Sequence, residues 1–285
     1  MQKKLTLIAA LLLAIQPITA STSPELASTS TAQPNVHVMP AVAMKTLQRE
    51  RTYRVYLPEN YEKSSKHYPV LYMHDGQNLF DDATSYVGEW GVDEALNQLA
   101  STCGLEMIVV GIDHGDKLRM TELNPYDNER FGKGEGDAYV DFLVNELKPR
   151  IDQKFRTLPG REHTAVMGSS MGGLISNHAI NRHPQTFGIA GLFSPSYWIA
   201  PQILAATEAN PALKNTRIYL STGGKEGESM TEGFNQMAHV LKQHAGPDQW
   251  RAQLDADGEH NEAFWNRIFP QAVNFLFKGH CEKKV

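Results

Sequence analysis

Residues 164–174 read Thr-Ala-Val-Met-Gly-Ser-Ser-Met-Gly-Gly-Leu, and Gly168-Ser169-Ser170-Met171-Gly172 lies at the centre of this stretch. An apolar, strand-like run precedes the pentapeptide, and a helical pattern over residues 171–182 follows it. A strand that passes directly into a helix must turn sharply, and the small residues two positions on either side of Ser170 let the two elements approach. We therefore predict that the Ser170 hydroxyl stands exposed above the edge of a sheet.

The position of Ser170 in this turn also predicts chemistry. The N-terminus of the following helix carries a partial positive charge that would stabilise an oxyanion beside the serine. Ser169 has the wrong spacing to the two glycines for the same role. A glycine-rich turn without chemistry is the alternative, but the strand before the pentapeptide and the helix after it favour Ser170 as a nucleophile.

Short apolar runs alternate with helical patterns along the rest of the chain. Strand-like runs lie at residues 52–57, 68–74, 106–112, 164–168, 188–193, 217–222 and 250–255. Helical patterns lie at residues 92–100, 138–147, 171–182, 229–244 and 261–277. This order predicts an α/β fold, with a mostly parallel central sheet, helices on both faces and right-handed crossovers. In such a sheet, functional residues collect at the carboxyl ends of the strands.

A histidine at that edge would complete the chemistry, because a serine hydroxyl is a poor nucleophile without an imidazole within hydrogen-bond reach. His260 follows the last strand-like run and the turn Asp257-Gly258, and it precedes the final helical pattern. His163 and His183 lie at the far ends of their elements, and His178 lies two turns along the helix after Ser170. We therefore predict that His260 is the general base.

The third member of such a triad is a carboxylate that orients the imidazole and stabilises its protonated form. Glu226 lies just beyond the strand-like run 217–222, which gives the chain order Ser170, Glu226, His260. We predict Glu226 as this acid. Glu228 is a close rival, and a solvated loop carboxylate is the alternative reading of either residue.

Two backbone amides are expected to bind the oxyanion. One belongs to Met171, the residue after the nucleophile, and the other to the loop His74-Asp75-Gly76-Gln77-Asn78. We predict Gln77 as the second donor, although its side chain could equally anchor the loop.

Loops at the same edge carry aromatic and basic residues that would line a substrate pocket. We predict that Trp90, Arg119, Tyr197 and Trp198 bind substrate, with ordinary loop packing as the alternative. Acidic residues and histidines also follow the strands, but they lack a recognised spacing for metal ligands. These are His74, Asp75, Asp113, His114 and Asp116. We therefore predict no metal site and no cofactor.

The first twenty residues predict a secretory signal peptide. Lys3 and Lys4 precede an apolar run over residues 5–15, and Ile18-Thr19-Ala20 offers a cleavage site. An apolar run of about eleven residues is too short to cross the roughly 30 Å hydrocarbon core of a membrane as a helix. We therefore expect a periplasmic or secreted protein without stable membrane insertion after signal cleavage.

The remaining chain divides into a linker and one domain. Residues 21–39 are rich in Ser, Thr, Ala and Pro without apolar periodicity, which predicts a flexible linker, and residues 40–285 form a single catalytic domain. The formal net charge is -5, and no basic stripe is present, so nothing indicates a nucleic-acid partner. After export, Cys103 and Cys281 would meet an oxidising compartment, but whether they pair stays open.

These residues resemble an esterase family that includes enterobactin and salmochelin esterases, feruloyl and acetylxylan esterases, S-formylglutathione hydrolase and mycolyltransferases. The resemblance covers about residues 46–277. Its most specific pieces are the segment 68–81, which reads Tyr-Pro-Val-Leu-Tyr-Met-His-Asp-Gly-Gln-Asn-Leu-Phe-Asp, the turn 168–173, and His260-Asn-Glu-Ala-Phe-Trp265.

The resemblance implies the α/β-hydrolase fold, with Ser170 as nucleophile, His260 as base and a carboxylate at Glu226. Many members carry Asp or a differently spaced Glu in the loop that holds Glu226 here, so this departure weakens the assignment of the acid alone. We expect an exported serine esterase that acts on a small-molecule or glycan-linked ester through an acyl enzyme. An acyltransferase of the same family and a non-catalytic binding protein on this scaffold are the alternatives.

Overall fold

The computed structural model describes residues 29–278, and its strands form one eight-stranded sheet. The strands are β1 Val36–Met44, β2 Arg49–Tyr56, β3 Val70–His74, β4 Ile108–Ile112, β5 Thr164–Ser169, β6 Ile189–Phe193, β7 Arg217–Gly223 and β8 Trp250–Asp255. Their spatial order is β1-β2-β4-β3-β5-β6-β7-β8. The β1–β2 and β2–β4 pairs are antiparallel, whereas all other neighbours are parallel. The predicted mostly parallel sheet is confirmed.

Helices cover both faces of this sheet, as predicted. They are α1 Val92–Cys103, α2 Arg119–Glu122, α3 Gly136–Phe142, α4 Lys148–Lys154, α5 Met171–Arg182, α6 Gln202–Glu208, α7 Glu228–His244 and α8 Glu262–Leu276. A π-helical turn at Leu143–Leu147 joins α3 to α4. Residues of α1 and α8 pack into one apolar core, and residues of α3, α5, α6 and α7 pack into the other.

The interior strands are apolar because both of their faces are covered. Every residue of β3, β4, β5 and β6 is buried, as expected for parallel strands between two helical layers. Edge strand β8 is only partly buried. The carboxyl ends of β3, β5, β6 and β7 therefore lie side by side at one edge, where the sequence predicts the functional residues.

The linker prediction for residues 21–39 is wrong at its C-terminal end. Strand β1 begins at Val36 and pairs with β2, with a register shift between Met39 and Val42. Ahead of it, the Ser30 hydroxyl and the Thr31 amide donate to the Asp81 carboxylate. Because β1 lies at the sheet edge with most side chains exposed, it shows no apolar alternation in the sequence.

One further prediction and one open question concern residues that the structure does not describe. The predicted signal peptide at residues 1–20 lies outside residues 29–278, and so does Cys281, whose pairing with Cys103 the sequence leaves open. Within the described part of the chain, no helix is long and apolar enough to cross a membrane.

Candidate active site

The turn at Ser170 joins β5 directly to α5. Ser170 has φ 56° and ψ -119°, a backbone conformation that is strained for a residue with a side chain. The Ser170 amide donates to the Phe193 carbonyl at 2.9 Å, which holds the turn against the end of β6. A Cβ atom at Gly168 would lie 2.8 Å from the Gly172 carbonyl carbon, so the close approach of strand and helix requires glycine there.

His260 and Glu226 form a hydrogen-bonded pair beside this turn. The distance from His260 Nδ1 to Glu226 Oε2 is 2.7 Å, and the Glu226 side chain is fully buried. An imidazole that donates through Nδ1 presents its Nε2 lone pair on the opposite side of the ring. Glu228 is exposed and begins α7 instead. The structure therefore brings Glu226, rather than its rival, to the histidine.

The second oxygen of Glu226 is held just as firmly. Glu226 Oε1 accepts hydrogen bonds from the Ser194 hydroxyl at 2.6 Å and from the Gly223 amide at 2.7 Å. Ser194 Oγ in turn accepts from the indole nitrogen of Trp265 at 2.9 Å. The Trp265 ring also lies edge-on to His260, with ring centroids 5.1 Å apart. The imidazole is thus oriented by a hydrogen bond and by a packed ring.

Ser170 and His260 line the same cleft, which has a volume of about 360 Å³. The other lining residues are His74, Asp75, Asn78, Tyr86, Val87, Trp90, His114, Arg119, Ser169, Glu262 and Trp265. Ser170 Oγ lies 3.2 Å from the hydroxyl of the buried Ser196. A larger depression of about 570 Å³ on the surface near α4 is lined by residues 146–154, and none of its lining residues is Ser, Cys or His.

The predicted oxyanion donors differ in where the structure places them. Met171 begins α5, so its amide is one of the helix N-terminal N–H groups that have no partner within the helix. Gln77 does not line the cleft; its side-chain oxygen accepts from the His114 amide at 3.1 Å, and it borders a separate cavity. Asp75, with a left-handed φ of 58°, turns the chain so that Asp75 faces the cleft and Gln77 does not.

Trp90 and Arg119, two of the four residues predicted to bind substrate, line the cleft. The Trp90 ring packs against the rings of Phe193 and Trp265. Arg119 makes two hydrogen bonds to the Asp75 carboxylate, Nε to Oδ1 at 2.6 Å and a terminal nitrogen to Oδ2 at 2.8 Å. Burial is the largest single influence and raises the pKa of Asp75, but the charge and hydrogen bonds of Arg119, with smaller contributions from His74 and His114, together outweigh burial, so the net pKa lies below its ordinary value.

Tyr197 and Trp198 do not line the cleft, which corrects that part of the predicted pocket. The Tyr197 ring is buried in the core, and its hydroxyl donates to Asn177 on α5 at 2.8 Å. The Trp198 side chain is 46% exposed and packs edge-on against Phe131. The chain turns after β6 at Ser194, which has a φ of 43°, and carries the aromatic pair away from the catalytic edge.

Two titratable groups of the cleft were missed as site residues in the sequence. Burial lowers the pKa of His74 to about 4, and its Nδ1 lies 2.8 Å from the Tyr139 hydroxyl. Burial also raises the pKa of Glu262, the first residue of α8. His74 begins the loop 74–78 that is predicted to bind the oxyanion, and Glu262 lies two residues after His260. Their position next to predicted site residues is the feature of the sequence that could have identified them.

The chain matches a protein family. The family model described as "Putative esterase" matches residues 44–276. The uncharacterized protein YbbA of Bacillus subtilis is 26% identical over 243 residues, which cover 80% of this chain and 92% of that protein. The endo-1,4-beta-xylanase/feruloyl esterase of Xylanibacter ruminicola is 27% identical over 232 residues, or 80% of this chain and 29% of that protein.

Solved structures share the same fold. The BES protein from Bacillus cereus superposes with a TM-score of 0.72 at 21% identity and covers 87% of this chain and 97% of its own. A ferulic acid esterase superposes with a TM-score of 0.66 at 21% identity and covers 86% of this chain and 99% of its own. Since the family match spans nearly all of the described residues, the chain belongs to this esterase family, has the α/β-hydrolase fold and is an enzyme that acts on ester bonds.

Proposed function

We propose that the protein is an exported serine esterase that hydrolyses carboxylic esters through Ser170, His260 and Glu226. The observation that carries this proposal is the His260–Glu226 pair, which lies in one cleft with a serine on a strained turn. Structural histidines are common, but an imidazole held by a buried carboxylate in one cleft with a partly buried serine hydroxyl has the arrangement that activates a nucleophile.

In the first half of the reaction, His260 Nε2 takes the proton of Ser170 as Ser170 Oγ bonds to the ester carbonyl carbon. Ser170 leaves its contact with Ser196 as substrate binds, since catalytic hydrogen bonds often form only in the complex. The carbonyl oxygen becomes an oxyanion that accepts from the Met171 amide. We assign the second donor to the Asp75 amide in place of Gln77, because Asp75 lines the cleft and Gln77 does not.

The oxyanion then collapses, and the bond to the leaving alcohol breaks as His260 returns the proton to that alcohol. Ser170 now carries the acyl group. Water enters, His260 takes its proton, and the hydroxide oxygen attacks the acyl carbon. The acid leaves, and the proton returns to Ser170. Throughout, Glu226 keeps the imidazole in the Nδ1–H form and stabilises its positive charge.

Small-molecule or glycan-linked esters are the proposed substrates. Named relatives support this class: a feruloyl esterase of Xylanibacter ruminicola and, at 30% identity over 137 residues, a siderophore triacetylfusarinine C esterase of Aspergillus fumigatus. The cleft adds an apolar wall from Trp90 and a cation from Arg119. Export rests on the signal pattern of residues 1–20.

The test compares hydrolysis of p-nitrophenyl acetate, butyrate and octanoate by the wild-type protein and Ser170→Ala. We expect wild-type turnover that the substitution abolishes at unchanged Tm, because the alanine removes the attacking oxygen. Wild-type rates in Ser170→Ala would contradict the mechanism.

Two controls address the alternative functions. Adding an acceptor alcohol and following the transferred ester reveals an acyltransferase. Failure of a fluorophosphonate probe to label the folded wild-type protein would favour a non-catalytic binding protein.

A further inference from the structure

Three carboxylates converge where the chain enters α1, away from the catalytic pair. Glu89 lies just before the helix, and Asp93 and Glu94 lie in its first turn. One oxygen from each lies within 4.8 Å of the other two. We call these three residues the α1 acidic cluster. Asp93 is fully buried, Glu89 is partly buried, and Glu94 is exposed.

The N-terminal segment supplies donors to only some of these oxygens. The Gln33 amide donates to Asp93 Oδ2 at 2.8 Å, and the Gln33 side chain donates to Glu94 Oε1 at 2.9 Å. Asp93 Oδ1 and Glu89 Oε2 are buried and have no hydrogen-bond partner among the described residues. A buried carboxylate oxygen without a donor is unfavourable, so each of these atoms needs a positive partner.

The helix N-terminus does not account for the cluster. Acidic residues in a first helical turn are stabilised by a partial charge of about half a unit, which cannot balance three carboxylates. Carboxylates this close are bridged either by a shared proton or by a cation.

We propose that the α1 acidic cluster binds a divalent cation and that this ion is Ca²⁺. Carboxylate oxygens are hard ligands that suit Ca²⁺, and the three carboxylates lie close enough to share one ion. Mg²⁺ is usually held by one or two carboxylates and several waters, whereas Ca²⁺ takes more carboxylate ligands in a flexible geometry, so three converging carboxylates suit Ca²⁺ better. The exposed Glu94 leaves a side open to solvent, from which water completes the coordination.

Such an ion would join three parts of the molecule. Gln33 belongs to the segment before β1, Glu89 precedes the cleft residue Trp90 in the chain, and Asp93 belongs to α1. An ion bound only in the folded state stabilises that state by mass action, so the Tm should rise with the Ca²⁺ concentration. The inference concerns binding and stability and stands independently of the proposed esterase mechanism.

The experiment titrates EDTA-treated protein with Tb³⁺, which Trp90 can sensitise, and then displaces Tb³⁺ with Ca²⁺. Calorimetry with Ca²⁺ gives the stoichiometry, and thermal unfolding gives the Tm. We expect one site per chain and a Tm increase of roughly 5 °C at about a hundred times Kd. Asp93→Asn should weaken Ca²⁺ binding by more than about tenfold, since loss of a ligand exceeds the effect of losing an outer-shell partner.

Two variants make the result decisive. Glu232→Gln removes an exposed carboxylate on α7 and should leave Ca²⁺ binding unchanged. Glu94→Gln alters the exposed member of the cluster and should weaken binding even if Asp93→Asn does not fold. The absence of a saturable Ca²⁺ site in the wild-type protein would overturn the proposal, as would unchanged affinity in Glu94→Gln. A higher Tm in Asp93→Asn without any response to Ca²⁺ would overturn it in favour of a shared proton.

Discussion

The imidazole of His260 is held from two directions by groups that lie far apart in the chain. Glu226 accepts a hydrogen bond from its Nδ1–H group, and the Trp265 ring packs edge-on against the imidazole. Trp265 also donates to Ser194, which donates to Glu226, so the same network orients base and acid together. Ser194, for which no chemical step is proposed, therefore helps to position the His260–Glu226 pair.

Replacing the acid tests the role of Glu226. We expect Glu226→Gln to lower kcat by about 10²–10⁴-fold, because the amide holds the ring without stabilising its charge and allows the wrong tautomer. The measurement is kcat for p-nitrophenyl butyrate. Glu228→Gln is the matched control and should retain wild-type kcat, since Glu228 is exposed on α7. A larger loss in Glu228→Gln than in Glu226→Gln would move the acid to position 228.

At the scale of elements, the β5–α5 unit depends on the absence of side chains at its closest contact. The backbone atoms of Gly168 and Gly172 meet where strand and helix cross, and the loop after β3 lies against the same helix end. A Cβ atom at Gly172 would lie 3.3 Å from His74 Cβ. The end of β5, the start of α5 and the loop after β3 therefore approach closely beside the cleft.

Adding one methyl group tests this packing. Gly168→Ala would place Cβ 2.8 Å from the Gly172 carbonyl carbon, and backbone atoms there cannot yield as a flexible side chain would. We expect a loss of about 1–3 kcal/mol in unfolding free energy and reduced kcat, measured by urea denaturation and esterase assay.

Gly104→Ala provides the control for that substitution. Its Cβ would meet no atom within 4 Å, but Gly104 has a left-handed φ of 70°. We expect a stability loss of about 1 kcal/mol from backbone strain and an unchanged kcat. Equal effects on kcat at both positions would argue against the steric explanation.

At the scale of the whole molecule, the topology buries a histidine next to the catalytic edge. His74 ends β3, faces Tyr139 on α3, and lies near the Asp75–Arg119 pair. Its pKa of about 4 is lower than the ordinary value of 6.5, so the folded protein holds it neutral. Below pH 6.5, the unfolded chain gains a proton at this site that the folded chain does not bind.

The His74 contribution to stability should therefore fall as the pH drops through this window. Between pH 6.5 and pH 4, the His74 contribution to the unfolding free energy decreases by about 3 kcal/mol, and it is fully present above pH 6.5. Urea denaturation at pH 7 and pH 4.5 measures the change. Asp93 contributes to the pH dependence with the opposite sign, because its pKa is raised in the folded protein. The wild-type protein is therefore compared with His74→Asn, which lacks only the His74 contribution. An equally steep pH dependence of the unfolding free energy in that variant would refute the prediction.

Local patterns in the sequence determined the elements of this protein. The strand–turn–helix around Ser170, the alternation of strands and helices, and the family resemblance depend on residues that are neighbours in the chain. These patterns predict the mostly parallel sheet and the edge at which its functional residues collect. They fail for β1, because an exposed edge strand obtains its order from pairing with β2 and not from its own apolar residues.

Only the tertiary structure decided which side chains meet. The choice of Glu226 over Glu228, the approach of Asp75 instead of Gln77, and the burial of Tyr197 depend on turns whose direction is set by distant contacts. A shift of one or two residues in a loop leaves the sequence pattern unchanged but redirects the side chain. The sequence therefore determined the elements and the edge at which they end, whereas packing between distant segments decided which side chains meet in the cleft.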